Sequence, residues 1–315
     1  MTRPAVVLVY HPHQPEAYAR EVRAPAGHAV TVHACATEAD AAAVIADTQV
    51  VYGWKLPPVL YPRARKLEWL QAMGAGVDWA VAEAPKRVVV TRVPGVFGPW
   101  MSEYVLAWCS WVTQRTETYR AAQRERRWIE TSLPDRLRGK TMTLVGVGDI
   151  GREVARVARA VGMHVIGVSR SGQRVPAVER VYRPGHLRRA LAAADFVVVV
   201  VPLTRRTRGL IDAHALAAMR PGAWLLNISR GAVVDEHALV DALQSRRIAG
   251  AILDVFATEP LPADHVLWSL DNVVITPHVA GPSTVEELAP VFNDNLARWL
   301  RGRPLQHVVD RARGY

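Results

Sequence analysis

The stretch that decides the fold covers residues 141–168 and reads TMTLVGVGDIGREVARVARAVGMHVIGV. A short apolar run ending at Val145 is followed by three glycines in the spacing GxGxxG. Apolar positions then recur every three or four residues until Gly162, and a second apolar run covers residues 164–168. This order predicts a strand, a tight glycine turn, a helix and a second strand.

The glycine turn predicts a dinucleotide site. Gly146 would permit a sharp turn, Gly148 a close approach of the backbone to a pyrophosphate, and Gly151 close packing of the helix on the strand. The N–H groups at the helix start, around Asp149 and Ile150, would face the phosphates. An ordinary βαβ unit with a glycine turn is the alternative. We favour the dinucleotide because both flanking strands and the helix are present.

The end of the second strand indicates which dinucleotide is bound. An acidic residue that binds the adenosine ribose is typical of NAD sites, but this chain reads Ser169-Arg170-Ser171. A guanidinium and two hydroxyls would hold a 2′-phosphate that a carboxylate would repel. We therefore predict NADP(H) as the preferred cofactor, with NAD(H) possible. The alternative is a solvated arginine in an arginine-rich chain.

Composition narrows the class of protein. The chain has 315 residues, half of them hydrophobic, which suits two domains with full cores. No apolar run reaches the length of a membrane span, and residues 1–4 lead directly into an apolar run without an export signal. Two cysteines make no disulfide framework, and no metal-ligand spacing is present. We expect a cytoplasmic enzyme without a metal and without membrane contact.

The net charge of +10 invites a nucleic-acid interpretation. The basic residues are scattered, however, and only four of the 39 are lysine, which indicates a compositional bias towards arginine. No recognition motif accompanies the charge. We therefore expect no nucleic-acid partner, and part of the charge suits anionic ligands such as an NADP phosphate and a carboxylate substrate.

Alternating apolar runs and helical segments predict an α/β fold with two doubly wound parallel sheets. Pro94-Gly95 and Gly98-Pro99 mark the first hinge. We predict a flavodoxin-like substrate-binding domain of residues 1–96 and 283–315, a Rossmann-type dinucleotide-binding domain of residues 97–282, and a cleft between them. Strand candidates cover residues 6–10, 29–32, 50–52, 67–70, 88–90, 196–201, 223–227, 249–254 and 273–276.

A long helix is predicted to start near Pro99, with proline in its first turn. Its apolar residues cover almost the whole circumference, so the helix is buried in a core or forms a subunit interface. Both interpretations stay open, and a homodimer through this helix is the expected assembly. These residues are Met101, Tyr104, Val105, Trp108, Cys109, Trp111 and Val112. The charged segment 123–138 is predicted to be a surface loop.

Three motifs at predicted strand ends carry chemistry. They are residues 227–231, 254–261 and 276–281, and they supply Arg230, Glu259 and His278. The carboxyl ends of strands in an open α/β sheet face the ligand. An arginine can bind a carboxylate with two hydrogen bonds, a histidine can exchange a hydroxyl proton, and a carboxylate can orient the imidazole. Each residue alone has an ordinary structural alternative, but the three together predict an active site.

The combined motifs resemble those of the D-isomer-specific 2-hydroxyacid dehydrogenases over nearly the whole chain. Three further stretches are similar to the glyoxylate/hydroxypyruvate reductase A group, which prefers NADPH: Tyr10-His11-Pro12, Ser169-Arg170-Ser171 and residues 309–315. The resemblance implies the reduction of small 2-oxo acids by hydride transfer. The alternatives are an NAD(H)-dependent dehydrogenase of another 2-oxo acid and a non-enzymatic dinucleotide-sensing interaction protein.

The resemblance also implies roles for individual residues. Arg230 would bind the substrate carboxylate and carbonyl, Glu259 would pair with the histidine, and His278 would be the general acid. The backbone of Ala75, Gly76 and Val77 would bind the substrate carboxylate, and Trp54 is expected to wall the substrate pocket or simply to pack. The remaining expected cofactor contacts are Asp254 at the nicotinamide carboxamide, Met101, Pro202 and Ile228.

Overall fold

The computed structural model describes residues 4–315. Residues 1–3, which belong to the predicted first domain, lie outside the described residues. The described chain forms two compact units. The first unit contains the residues up to Val96 together with Ser283–Tyr315, and the second contains Phe97–Pro282.

The first unit is built on a five-stranded sheet in which every pair of neighbours is parallel. The strand order β2-β1-β3-β4-β5 is the flavodoxin-like order. The helix α2 starts with a capping box of Thr37 and Asp40. The elements are β1 (Ala5–Tyr10), α1 (Pro15–Arg20), β2 (Val30–Cys35), α2 (Glu38–Val44), β3 (Val50–Gly53), β4 (Trp69–Ala72), α3 (Asp78–Glu83) and β5 (Val89–Thr91).

The second unit starts with α4 (Phe97–Thr113) and α5 (Thr116–Arg124) and is built on a seven-stranded parallel sheet. Its further elements are β6 (Thr141–Val145), α6 (Asp149–Ala160), β7 (His164–Val168), β8 (Arg180–Tyr182), α7 (Leu187–Leu191), β9 (Phe196–Val199), α8 (Ala213–Ala218), β10 (Trp224–Asn227), α9 (Glu236–Gln244), β11 (Gly250–Leu253) and β12 (Val273–Ile275). The strand order is β12-β11-β10-β9-β6-β7-β8. The order reverses between β6 and β9, which is where such sheets bind ligands.

The last helix, α10 (Val285–Leu300), belongs to the first unit. Its Phe292 ring stacks on Tyr52 at 4.1 Å and on Trp69 at 5.3 Å between ring centroids. The amide of Asn295, which is buried, donates to the Gln71 side chain at 3.2 Å. Aromatic stacking and a satisfied polar group fix α10 on the sheet of the first unit.

The α/β class and the parallel sheets predicted from the sequence are confirmed, and several predicted boundaries are wrong. The predicted start of α4 is confirmed, since the helix begins at Phe97 and has Pro99 in its first turn, where no N–H donor is needed. The predicted strand at residues 196–201 ends at Val199. The helix α5 ends at Arg124, two residues into the predicted surface loop, and the short elements β8 and α7 were not predicted.

None of the helices within residues 4–315 combines the length and the apolar character needed to cross a membrane. Over the same residues, His, Cys, Asp and Glu side chains form no group of three or more that could hold a metal ion.

Candidate active site

In the glycine turn between β6 and α6, two of the three glycines are required by close contacts. Gly146 has a φ of 112°, and a Cβ there would lie 2.6 Å from the Val200 carbonyl oxygen. A Cβ on Gly151 would lie 2.2 Å from the Gly146 carbonyl oxygen. By contrast, Gly148 has nothing within 4 Å and precedes α6, whose first turn has no side-chain cap. An exposed helix N-terminus behind an open glycine fits a pyrophosphate.

The turn after β7 holds its two serines by main-chain hydrogen bonds. The Gly172 N–H donates to the Ser169 hydroxyl at 3.1 Å, and the Gln173 N–H donates to the Ser171 hydroxyl at 3.2 Å. Because both hydroxyl oxygens accept, each serine keeps its own proton for donation to an anion. Arg170 between them is exposed. The turn therefore offers a guanidinium and two oriented O–H donors, as a phosphate requires.

The three chemical motifs follow β10, β11 and β12, which are neighbours in the sheet. After β10, the buried Asn227 accepts from the backbone N–H and the hydroxyl of Ser229 at 3.2 and 2.9 Å. Its amide donates to the Arg230 carbonyl at 3.1 Å. A Cβ on Gly231 would lie 1.9 Å from the Phe256 carbonyl carbon, so the loops after β10 and β11 pack backbone to backbone here.

The loop after β12, residues 276–281, is organised by the carboxylate of Asp254, which is 1% exposed. One carboxylate oxygen accepts from the Thr276 hydroxyl at 2.6 Å and the Val279 N–H at 2.8 Å. The other accepts from the Ala280 N–H at 3.0 Å. The Asp254 carbonyl accepts from the His278 N–H at 2.9 Å. A buried carboxylate with three donors therefore fixes the backbone on both sides of the histidine.

Glu259 and His278 form a direct pair. The Nδ1 atom of His278 lies 2.9 Å from a Glu259 carboxylate oxygen, and both side chains are 29% exposed. The other carboxylate oxygen accepts from the Phe256 N–H at 3.1 Å. Since an ionised carboxylate can only accept, Nδ1 carries the proton and Nε2 is left for another partner. This arrangement is that of an oriented acid–base histidine.

Arg230 lies in the same group of loops, joined to it through Gly231 and Phe256. Its side chain is half-buried, and one guanidinium nitrogen donates to the Ser229 carbonyl at 2.8 Å. The structure thus places the predicted arginine, glutamate and histidine at the carboxyl ends of three adjacent strands, and it joins the glutamate and histidine by a hydrogen bond.

The chain matches a known family over more than half of its length. The family model for the D-isomer specific 2-hydroxyacid dehydrogenase, NAD binding domain, matches residues 106–280. The chain belongs to the D-isomer-specific 2-hydroxyacid dehydrogenases. It is 33% identical to the glyoxylate/hydroxypyruvate reductase A of Escherichia fergusonii over 82% of this chain and 85% of that protein.

Solved structures agree with the family. A D-isomer specific 2-hydroxyacid dehydrogenase family protein from Aeromonas salmonicida has a TM-score of 0.90 and 33% identity over 98% of this chain and 100% of its own. The NADPH-dependent glyoxylate/hydroxypyruvate reductase of Sinorhizobium meliloti, solved with NADP and sulfate, has a TM-score of 0.88 and 31% identity, with 99% of this chain and 100% of its own covered. This dehydrogenase is therefore an oxidoreductase of the same two-sheet architecture.

In the first unit of this dehydrogenase, the predicted substrate loop follows β4. Gly74 lies in van der Waals range of Trp54, since a Cβ there would be 3.5 Å from the indole ring. The Val93 N–H donates to the Gly74 carbonyl at 3.3 Å. Ala75 and Gly76 are half-buried, and the buried Val77 precedes α3. The loop and the indole lie at the carboxyl edge of the first unit's sheet.

Three predicted cofactor contacts lie in the second unit of the dehydrogenase. Met101 is 8% exposed and lies against Gly281, where a Cβ would be 3.1 Å from its side chain. Ile228 is buried directly after β10. Pro202 is exposed after β9, and its carbonyl accepts from the Thr207 hydroxyl at 2.6 Å. Met101 lies within α4, whereas Ile228 and Pro202 follow β10 and β9.

The sequence does not predict two polar contacts beside the candidate site residues. The sequence predicts Tyr104 only as part of an apolar helix face, yet its hydroxyl lies 2.7 Å from the Thr276 hydroxyl. His11 belongs to a stretch that carries only the family resemblance. Its Nδ1 accepts from the backbone N–H groups of His13 and Gln14 at 3.2 and 3.1 Å, and burial lowers its pKa. No periodicity or spacing marked either contact; a polar group on an apolar helix face was the available signal for Tyr104.

Proposed function

We propose that the protein reduces small 2-oxo acids, glyoxylate and hydroxypyruvate, to 2-hydroxy acids with NADPH. The observation that carries the proposal is the pair of Glu259 and His278, hydrogen-bonded at 2.9 Å beside the loop of Arg230. This set of side chains suits an anionic ketone that must be bound and protonated. The proposal is supported by the similarity to proteins named glyoxylate/hydroxypyruvate reductase A.

The chain's own residues would perform the binding and the proton transfer. Arg230 binds the substrate carboxylate and polarises the ketone, and His278 donates a proton to the ketone oxygen from Nε2. Glu259 accepts from Nδ1 and so holds the ring with Nε2 towards the ketone. When NADPH is bound, it supplies the hydride that the ketone carbon receives.

The second unit would serve as the dinucleotide-binding domain, residues 97–282. The turn of Gly146, Gly148 and Gly151, with the first N–H groups of α6, would bind the pyrophosphate. The Ser169-Arg170-Ser171 turn would bind the 2′-phosphate, in keeping with the NADP or NADPH in several similar structures. Asp254, Met101, Pro202 and Ile228 are the further proposed contacts, and NADH remains a possible second cofactor.

The first unit, residues 1–96 and 283–315, would serve as the substrate-binding domain. The backbone N–H groups of Ala75, Gly76 and Val77 would donate to the substrate carboxylate, as N–H groups of tight turns do for anions. Trp54, held against Gly74, would limit the size of the substrate side chain.

A homodimer in the cytoplasm is the proposed state of the enzyme. Tyr104, Trp108 and Trp111 on α4 are half-buried in the single chain, and with Trp224 they form a series of edge-to-face rings 5.8–6.2 Å apart. Such aromatic faces are typical of subunit interfaces. The thiols of Cys35 and Cys109 are free and buried, as suits a reducing compartment. Sedimentation should give twice the chain mass of 34.7 kDa.

Steady-state assays with each pairing of glyoxylate or hydroxypyruvate with NADPH or NADH test the proposal. We expect turnover of both acids and a higher kcat/KM for NADPH. Arg170→Asp should lower kcat/KM for NADPH by roughly 10- to 100-fold, because a carboxylate would repel the 2′-phosphate, while kcat/KM for NADH stays similar. Arg303→Asp, in the first unit, changes the net charge by the same amount and should leave the ratio of kcat/KM for NADPH to kcat/KM for NADH unchanged. An absence of turnover with every pair would reject the function.

A further inference from the structure

The loop that carries His278 is tied to the helix α4 by a chain of three side chains. The hydroxyls of Tyr104 and Thr276 lie 2.7 Å apart, and the Thr276 hydroxyl lies 2.6 Å from the Asp254 carboxylate. Asp254 in turn accepts from the N–H groups that follow His278, as described above. Tyr104 is therefore connected to the backbone on both sides of the histidine without touching it.

The direction of each hydrogen bond in this chain follows from the chemistry. The carboxylate of Asp254 can only accept, so the Thr276 hydroxyl must donate its single proton to it. The Thr276 oxygen can then only accept from Tyr104, which must be the donor. Burial raises the pKa of Tyr104 well above its ordinary value, so this donor stays protonated at every working pH. The three hydrogen-bonded side chains therefore have only one allowed arrangement of donors and acceptors: Tyr104 donates to Thr276, and Thr276 donates to Asp254.

The histidine backbone needs such support. His278 has a φ of 57°, in the left-handed region that a residue with a side chain rarely adopts. Conformations of this kind persist only where surrounding contacts determine them. The hydrogen bonds to Asp254 hold the backbone of residues 276–280 in this conformation. Gly281 also packs on Met101 and Phe97, which attaches the loop to α4 a second time.

We propose that Tyr104 is a positioning residue for the acid–base histidine: its hydroxyl, through Thr276 and Asp254, holds the loop of residues 276–280 so that His278 presents Nε2 to the substrate. This inference rests on the role of His278 in the proposed function. Tyr104 touches none of the reacting groups, so its loss should slow proton transfer while leaving the binding of the oxo-acid carboxylate nearly unchanged.

Tyr104→Phe removes the donor and keeps the ring. We expect kcat with glyoxylate and NADPH to fall on the order of tenfold, because displacement of a catalytic group by a fraction of an ångström has effects of this size. The KM for glyoxylate should stay within about twofold of the wild-type value, since the residues that bind the carboxylate are unchanged. Tyr119→Phe is the matched control, because that hydroxyl also donates to a partner in the second unit, the Ser132 carbonyl.

Substitutions at Thr276 give a second route that does not depend on Tyr104. Thr276→Val has nearly the same shape but cannot connect Tyr104 to Asp254, whereas Thr276→Ser keeps the hydroxyl. We expect Val to lower kcat at least as much as Tyr104→Phe does, and Ser to retain most of it. The double variant Tyr104→Phe with Thr276→Val should be no slower than Thr276→Val alone, because both changes break one chain.

The outcomes separate this inference from the proposed function. If the wild-type protein turns over neither acid, the proposed function fails. If His278→Ala keeps the wild-type kcat, the acid–base role of His278 fails whatever Tyr104→Phe does. If His278→Ala is inactive and Tyr104→Phe keeps kcat within twofold of wild type, the positioning role alone is rejected. Three further results would overturn the positioning role. Tyr119→Phe could lower kcat as much as Tyr104→Phe does, or Thr276→Ser could lose as much kcat as Thr276→Val. The double variant could also lose the product of the two single losses in kcat.

Discussion

The carboxyl edges of the two sheets are built in different ways. In the second unit, the loops after β10, β11 and β12 are held by buried polar side chains, and Asn227 and Asp254 are each 1% exposed. In the first unit, the loop after β4 consists of small residues that offer main-chain groups. The Trp54 indole lies beside Gly74 of this loop, and the His11 ring lies 6.5 Å from that indole between ring centroids.

The difference indicates that the second unit's edge serves proton transfer and the first unit's edge serves carboxylate binding. Proton transfer requires side chains held within a fraction of an ångström, and such precision comes from buried, fully satisfied hydrogen-bond networks. Binding a carboxylate requires N–H groups that small residues leave accessible. We therefore expect changes on the second unit's edge to affect rate and folding strongly, and changes on the first unit's edge to affect mainly substrate selection.

The largest expected loss of kcat comes from a substitution on the second unit's edge. His278→Ala should lower kcat by about 10²- to 10⁴-fold, the range that general acid–base groups contribute. Binding of NADPH, measured by its fluorescence, should stay within a few-fold of wild type. As a matched control, His237→Ala changes an exposed histidine on α9 for which no role is predicted. If both variants lose the same activity, the assignment of the acid–base role is wrong.

A pair of glycine substitutions compares the two edges directly. Gly231→Ala would place a Cβ 1.9 Å from the Phe256 carbonyl carbon, so the backbone must move. We expect it to lower the free energy of unfolding by about 3 kcal/mol. Gly74→Ala would meet Trp54 at an ordinary 3.5 Å, and should cost less than about 1 kcal/mol. Urea unfolding measures both, and equal losses would remove the proposed contrast.

The smallest expected effect concerns the two thiols. Burial raises the pKa of the Cys35 thiol, at the end of β2, to about 11, and it raises that of Cys109 on α4 still further. At pH 8 roughly 0.1% of Cys35 is then thiolate, so alkylation by iodoacetamide should be slow and should speed up as the pH rises towards 11. Mass spectrometry should find Cys35 labelled before Cys109. Fast labelling of Cys109 at pH 8 would contradict its burial.

Much of the fold was predictable because it depends on local patterns. Residues 141–168 gave β6, α6 and β7 almost to the residue, since apolar periodicity and glycine spacing act over short distances. The elements β8 and α7 were missed because three and five residues carry too little periodicity to recognise.

The candidate site was predictable only where residues follow strands. Glu259 and His278 could be expected near each other because the ends of parallel strands share one edge of a sheet. The contacts of Tyr104 with Thr276 and of Gly231 with Phe256 join segments far apart in sequence. Such contacts depend on how α4 and the loops pack, which no short-range pattern encodes.

A crystal structure of the enzyme with NADP⁺ and oxalate, an unreactive mimic of a 2-oxo acid, tests the central claim most directly. We predict that the Nε2 atom of His278 lies within about 3.2 Å of an oxalate oxygen, that Arg230 binds the same molecule, and that Glu259 still holds Nδ1. Oxalate bound away from these three side chains, or a His278 ring turned away from it, would contradict the account.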